Sequence, residues 1–458
     1  MIKKGDKKII RGWVFYDWAN SVYNLVISSA IFPIFYNAIT TERYLAEYNT
    51  THNLNLEELP EGVHVMVNFF GTELSPSVLM SFVLSASFLV VSFLSPMLSG
   101  VADFSGNKKR FMQFFCYLGA LSCISLYWFG DVPIEVGMLS IFLASIGFWN
   151  SLVFYNAYLP EIAEPKDHDR VSARGFSMGY FGSMILLVIC LAIIMGISPK
   201  YTSLCFVLVG LWWIGFSRIT YKVLPNNVYG KKKEKGILWK GFKELKLVFE
   251  EFKKIKRLKR YLSAFFFFNT GVQTVMLMAV LYASREIFVG EYEAAGQAGL
   301  IIAILLIQIL GAAGAFLLSR LSGIIGNLKS LIIVVAFWVP LCVAAYFLTT
   351  PFQFYFLAAG VGLVMGGVQA LSRSTYSKFL PETKDHASYF SFYDVTEKVG
   401  IVFGTFFFGF MEYVTGDIRA SILSVVFFFC VGLILLFFVP NEDSKRKRGK
   451  QIDQPAIA

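Results

Sequence analysis

Twelve stretches of this chain are apolar over about the 20 residues a helix needs to cross hydrocarbon, and a single water-exposed domain has no interior that buries so many. They fall near 13–40, 77–102, 111–130, 133–159, 174–196, 201–223, 260–288, 296–320, 328–349, 352–378, 388–413 and 417–439. An isolated span in lipid satisfies its backbone hydrogen bonds only as a helix, so all twelve are expected to be helical. Composition agrees: 56% of residues are hydrophobic, 47 are Phe and only 16% are charged, outside the range of globular chains in water. The fold class that follows is all-α and polytopic, a membrane protein of twelve transmembrane helices.

The chain also says the same thing twice. Leu159-Pro160-Glu161 followed by Lys166-Asp167-His168 is echoed by Leu380-Pro381-Glu382 followed by Lys384-Asp385-His386. Upstream, Gly106-Asn107-Lys108 is echoed by Gly326-Asn327-Leu328-Lys329. A repeat of this kind predicts two like-oriented, pseudo-symmetric six-helix bundles with a cleft between them. The expected boundaries are 1–222 for the first bundle, 223–259 for a linker, 260–440 for the second bundle and 441–458 for a basic tail.

Lys and Arg set the orientation. With the N-terminus inside, alternate turns and tails hold 34 of the 41, while the opposite side holds Arg43, Lys200, Arg285 and Arg419. That bias places both termini in the cytoplasm, and the net charge of +10 is topological, with no nucleic-acid partner implied. Met1 to Arg11 leads into a full-length span, not a short signal core. In the linker, Leu238, Phe242, Leu245, Phe249, Phe252 and Ile255 recur at steps of three or four among Lys240, Lys243, Lys246, Lys253 and Lys254. This amphipathic basic helix is expected to lie over 237–257 on the anionic cytoplasmic leaflet, where each basic residue contributes about 1 kcal/mol. Residues 41–76 read as one long, acidic external loop.

Ser99-Gly100-Val101-Ala102-Asp103-Phe104-Ser105-Gly106-Asn107-Lys108-Lys109 joins the second and third spans. It resembles the loop signature of the major facilitator superfamily, in which an Asp, a turn glycine and basic residues latch two helices. Ser99 stands where that signature leads with glycine, Phe104 stands where it has a base, and the second copy has Gly323 at the Asp position, which implies a weaker latch there. Three further stretches are similar to one branch of that superfamily: Tyr16-Asp17-Trp18-Ala19-Asn20-Ser21, Tyr155-Asn156-Ala157-Tyr158-Leu159-Pro160-Glu161 and Arg170-Val171-Ser172-Ala173-Arg174-Gly175. Gly366-Gly367-Val368-Gln369-Ala370-Leu371-Ser372-Arg373-Ser374 and Phe392-Tyr393-Asp394-Val395 carry the same likeness. The branch consists of largely uncharacterised facilitators related to the vacuolar amino-acid effluxers of autophagy. The resemblance spans the chain and implies a twelve-helix secondary transporter.

Charges inside apolar spans point to the same class, since each ionised group at a helix centre costs about 2.5–3.5 kcal/mol on insertion. Asp17, Arg373, Asp394, Glu397 and Lys398 are such residues, and the last three share one helical face by their spacing. Asp17 is expected only about four residues, or about 6 Å, into its span, with Asp394 at a similar depth. A gate of interhelical ion pairs is therefore favoured for Asp17, Arg373 and Asp394 over a proton-titrating role, and the two roles can coexist. Asp103, Glu161 and Arg174 of the quoted motifs complete the gate set. Deeper neutral polar residues, Asn20, Tyr23, Asn150, Asn269, Gln273, Gln308 and Gln369, are the candidate substrate path. The ridges Gly175xxxGly179, Gly362xxxGly366 and Gly400xxxGly404 suggest close helix packing between the halves.

No GxxxxGK[ST] loop is present, all four histidines fall in expected loops, and the six cysteines lie in spans without CxxC spacing. No cofactor, metal site, disulfide or enzymatic centre is expected. The function expected is secondary active transport of a small polar solute, an amino acid or similar metabolite, by rocker-switch alternating access, with proton-coupled efflux as one mode. The alternative is a channel or lipid scramblase sharing the fold, distinguished by steady ohmic current. A monomer in a plasma (inner) membrane is expected, in preference to a vacuolar location.

Overall fold

A computed structural model describes residues 4–60, 63–226 and 237–440; the basic tail at 441–458 and part of the linker lie outside the described residues. Within them the chain is helical apart from one hairpin. Eleven helices are long and apolar enough to cross a membrane, and a twelfth span is a bent pair. That pair is α1 (Lys7–Val22), continued by a π-helical stretch over Tyr23–Ala30, and α2 (Phe32–His52), turned by 42°. The π-helical turns and Pro33 in the first turn of α2 account for the bend. The remaining spans are α3 (Pro76–Ser105), α4 (Lys108–Ser125), α5 (Ile134–Asn156), α7 (His168–Gly196) and α8 (Thr202–Val223), then α10 (Lys256–Glu286), α11 (Gly296–Ile325), α12 (Asn327–Tyr346), α13 (Pro351–Phe379), α14 (His386–Thr415) and the pair α15 (Ile418–Ser424) and α16 (Val426–Phe437). The short α6 (Leu159–Ile162) precedes α7, and α9 (Ile237–Lys254) precedes α10.

Local chemistry sets the ends. Asp6 accepts from the Lys8 and Ile9 amides, so α1 starts at Lys7, well before the apolar run. Asp17 is then ten residues, about 15 Å, along the helix. Thr350 and Gln353 form a capping box ahead of α13, and Gly106 and Gly416 close α3 and α14 in the left-handed region at φ 70° and 67°.

The segment at 41–76, expected as a loop, contains the end of a helix and a hairpin. Helix α2 continues to His52, and Arg43 donates to the Phe129, Gly130 and Val132 carbonyls at 2.8–3.0 Å. A hairpin follows, β1 (Val67–Phe69) against β2 (Thr72–Leu74). Its two turn residues, Phe70 and Gly71, both have positive φ, the geometry that matches strand twist.

The described residues form two compact units, one of 4–60, 63–158, 178–226 and 237–242, the other of 159–177 and 243–440. The second unit therefore includes a segment, Leu159–Ser177, that belongs to the first sequence repeat. Gly179 and the two ridges of the second half pack inside these units, which corrects their expected role between halves. Gly179 lies against Asp17 and Ser21 of α1 in the first unit. In the second, Gly400 and Gly404 lie against Thr270 and Thr274, and Gly362 and Gly366 meet the backbone of Ile307 and Gly311. Absent side chains let these helix axes approach. Parts of α9 meet protein: Gly241 lies against Val101, Val248 is buried, and Phe249 and Phe252 pack on Phe392, while Trp239, Phe242 and Leu247 stay exposed.

Candidate functional site

The three charges spaced along α14 do converge. Lys398 is fully buried, with its Nζ 3.1 Å from Asp394 Oδ1 and 3.1 Å from Glu397 Oε2. From α10, Gln273 Nε2 donates to Glu397 Oε1 at 2.9 Å. Helix α14 begins at His386, so Asp394 lies about 12 Å and Lys398 about 18 Å along a 30-residue helix. Lys398 thus approaches mid-helix. It shares its one positive charge between two carboxylates. Four residues before Gln273 on α10, Asn269 is buried and its Nδ2 has no hydrogen-bond partner. Gln369 of α13 donates to Met276 Sδ at 3.6 Å, and Gln308 is buried on α11.

Nearer the ends that the Lys and Arg bias assigns to the cytoplasm, the second unit holds another polar network. Arg373 donates from Nε to Ser172 Oγ and from an η nitrogen to Ser172 O, each at 2.9 Å. Its guanidinium lies 4.1 Å above the Phe176 ring, and Ser172 Oγ donates onward to Ala370 O at 2.8 Å. Asp169, at the second position of α7, accepts from Lys378 Nζ at 2.6 Å, Asn327 Nδ2 at 2.7 Å and Ser322 Oγ at 2.8 Å. Lys378 also donates to Asn327 Oδ1 at 2.8 Å. Glu161 Oε1 meets His386 Nδ1 at 3.1 Å. Both His168 and His386 are buried at the first positions of α7 and α14; the sequence suggested loops.

In the first unit Asp17 is buried and accepts from the Tyr155 hydroxyl at 2.7 Å. Tyr155 is held in turn by Trp13, stacked at 4.4 Å with its Nε1 donating to the Tyr155 carbonyl. Asn20 Nδ2 and Asn150 Oδ1 are buried without hydrogen-bond partners, the Asn150 amide nitrogen donating to Ile146 O. Tyr23 packs on Phe148 and Trp213 at the start of the π-helical stretch. Asp103 is buried at the end of α3. The Tyr155→Phe variant removes a bond to a charged acceptor and is expected to cost about 1.5–3 kcal/mol, read as a lower melting temperature in detergent; unchanged melting would show the bond to be dispensable.

Of the residues singled out by sequence, Asp394, Glu397, Lys398 and Gln273 form one cluster, and Arg373 and Glu161 take part in the α7 and α14 contacts. Arg174 is exposed and joins neither. Asp169, Lys378, Asn327 and Tyr155 went unselected. The available signals were the placement of Asp169 directly after the repeated Lys-Asp-His mark and of Asn327 in the repeated Gly-Asn pair. The six cysteines are free, five of them buried.

A family model described as vacuole effluxer Atg22 like matches residues 5–449. An uncharacterised MFS-type transporter of Bacillus subtilis, YxiO, is 30% identical over 455 residues, covering 97% of both chains. Autophagy-related protein 22-1 of Penicillium rubens is 22% identical over 96% of this chain and 91% of its own. Among solved structures, the human organic anion transporter MFSD10 superposes with a TM-score of 0.66 over 94% of this chain and 98% of its own, at 12% identity. That last likeness is one of fold.

Proposed function

Because the chain belongs to the Atg22-like vacuole effluxer family of major facilitator transporters, we propose that it exports a small zwitterion, an amino acid or close analogue, in exchange for protons. One observation carries this reading: a fully buried Lys398 bracketed by Asp394 and Glu397, with Gln273 on Glu397, close to the middle of a membrane helix. Transporter sites cluster near the midplane, and ionised groups persist there only when they have work to do.

Lys398 divides its charge between Asp394 and Glu397. Glu397 can take a proton or the ammonium of an amino acid, but not both at once. Competition of this kind exchanges one for the other across the membrane. Glu397 is the natural docking point, because its side chain keeps 17% exposure while Lys398 keeps none. The unpartnered amide nitrogen of Asn269 lies on the same helix face, one turn from Gln273, and offers donors to the solute carboxylate. A solute with both groups satisfies both ends.

The test is exchange flux in proteoliposomes over a panel of amino acids, with and without a pH gradient; each pH unit supplies about 1.4 kcal/mol per proton. Wild type is expected to accumulate or expel at least one of them in response to the gradient, and Glu397→Gln to lose that response. Gradient-independent flux in wild type, or an intact response in Glu397→Gln, would overturn the assignment. Steady ohmic current would favour a pore.

A further inference from the structure

The second unit contains a piece of the first repeat, and one carboxylate fastens it there. We infer that Asp169 is a positioning residue that locks Leu159–Ser177 onto the ends of α11, α12 and α13, and that its release opens the side of the protein that the Lys and Arg bias assigns to the cytoplasm. Asp169 is buried and draws three donors from three places: Ser322 in the last turn of α11, Asn327 at the start of α12 and Lys378 in the last turn of α13. Asn327 in turn bonds Lys378 and Thr375. None of the three donors is on α7, so the whole interaction is lost if the segment leaves.

The loop between α11 and α12 has no acid of its own. Its first-repeat counterpart carries Asp103, whereas the matching position is Gly323, exposed and open around any added Cβ. Asp169 brings in the negative charge that the second copy lacks, and it does so from a segment that must move if access alternates. A charge-assisted contact of this sort favours one arrangement by its full worth, because in the other arrangement both partners return to water. The inference needs no particular solute.

Its test uses full-length protein with the six native cysteines replaced and one reporter added. Ser377→Cys reports on the lock: Ser377 is buried beside Lys378 and its hydroxyl has no hydrogen-bond partner. Ser421→Cys, fully buried on α15 beyond the other end of α14, reports on general loosening. Asp169→Asn is expected to speed labelling of the Ser377 reporter by a membrane-impermeant maleimide about tenfold, the factor that 1.4 kcal/mol yields, with Ser421 labelling unchanged. Lys378→Met is expected to do the same, and the double variant to add little to either, as partners in one interaction do. Unchanged Ser377 labelling, equal acceleration at both reporters, or additive effects of the two substitutions would each overturn the lock.

Discussion

Replacing Lys398 with methionine is expected to abolish transport and to cost the fold about 3–5 kcal/mol, the penalty for stripping one partner from a buried ion pair. The ammonium has no exposed surface and neutralises carboxylates on two sides. Without it the two carboxylates lose a shared counter-charge in a medium with little screening. Thermal unfolding in detergent reads the stability loss, and amino-acid exchange reads the flux. Neutralising the carboxylates in the same background, as Asp394→Asn with Glu397→Gln, is expected to return the melting temperature close to that of wild type while flux stays absent. Restored stability with restored flux would make the cluster a structural brace with no part in coupling.

A second large loss is expected from Gly366→Leu. A Cβ at this position would run into the carbonyl of Gly311 on α11, and a leucine would force α11 and α13 apart along the ridge that Gly362 continues. Overpacking at a backbone contact has no side chain to yield, so the expected cost exceeds about 3 kcal/mol and appears as lost monodisperse protein in size-exclusion chromatography. Gly323→Ala, where the added methyl meets nothing within 4 Å, is the matched control and is expected to leave the yield intact. Equal yields from the two variants would mean that the helix contact is loose.

The spans were legible in the sequence because hydrocarbon thickness imposes a length and forbids unpaired backbone, and both constraints act residue by residue. The α14 cluster was legible for a similar reason: spacings of three and four bring Asp394, Glu397 and Lys398 to one face without knowledge of any partner. What α14 meets was not. Gln273 lies 124 residues from Glu397, and the donors to Asp169 lie 153 to 209 residues away, distances over which periodicity carries no information. The glycine ridges show the same limit, since small residues announce a close approach but not which helix approaches. Hydropathy likewise marks where lipid begins, whereas the Asp6 cap decides where α1 begins.

The charge carried by α14 bears on how the chain is made. It is the least apolar of the eleven straight spans among the described residues, and each of its three ionised groups opposes entry into the bilayer by a few kcal/mol when the helix is alone. Intramolecular pairing of Lys398 with Asp394 lowers that barrier, but Glu397 finds its amide donor only on α10, which leaves the ribosome earlier. During biogenesis α14 is thus expected to linger at the translocon until α10 is in place beside it, so synthesis order and the ionic cluster are linked in one assembly step.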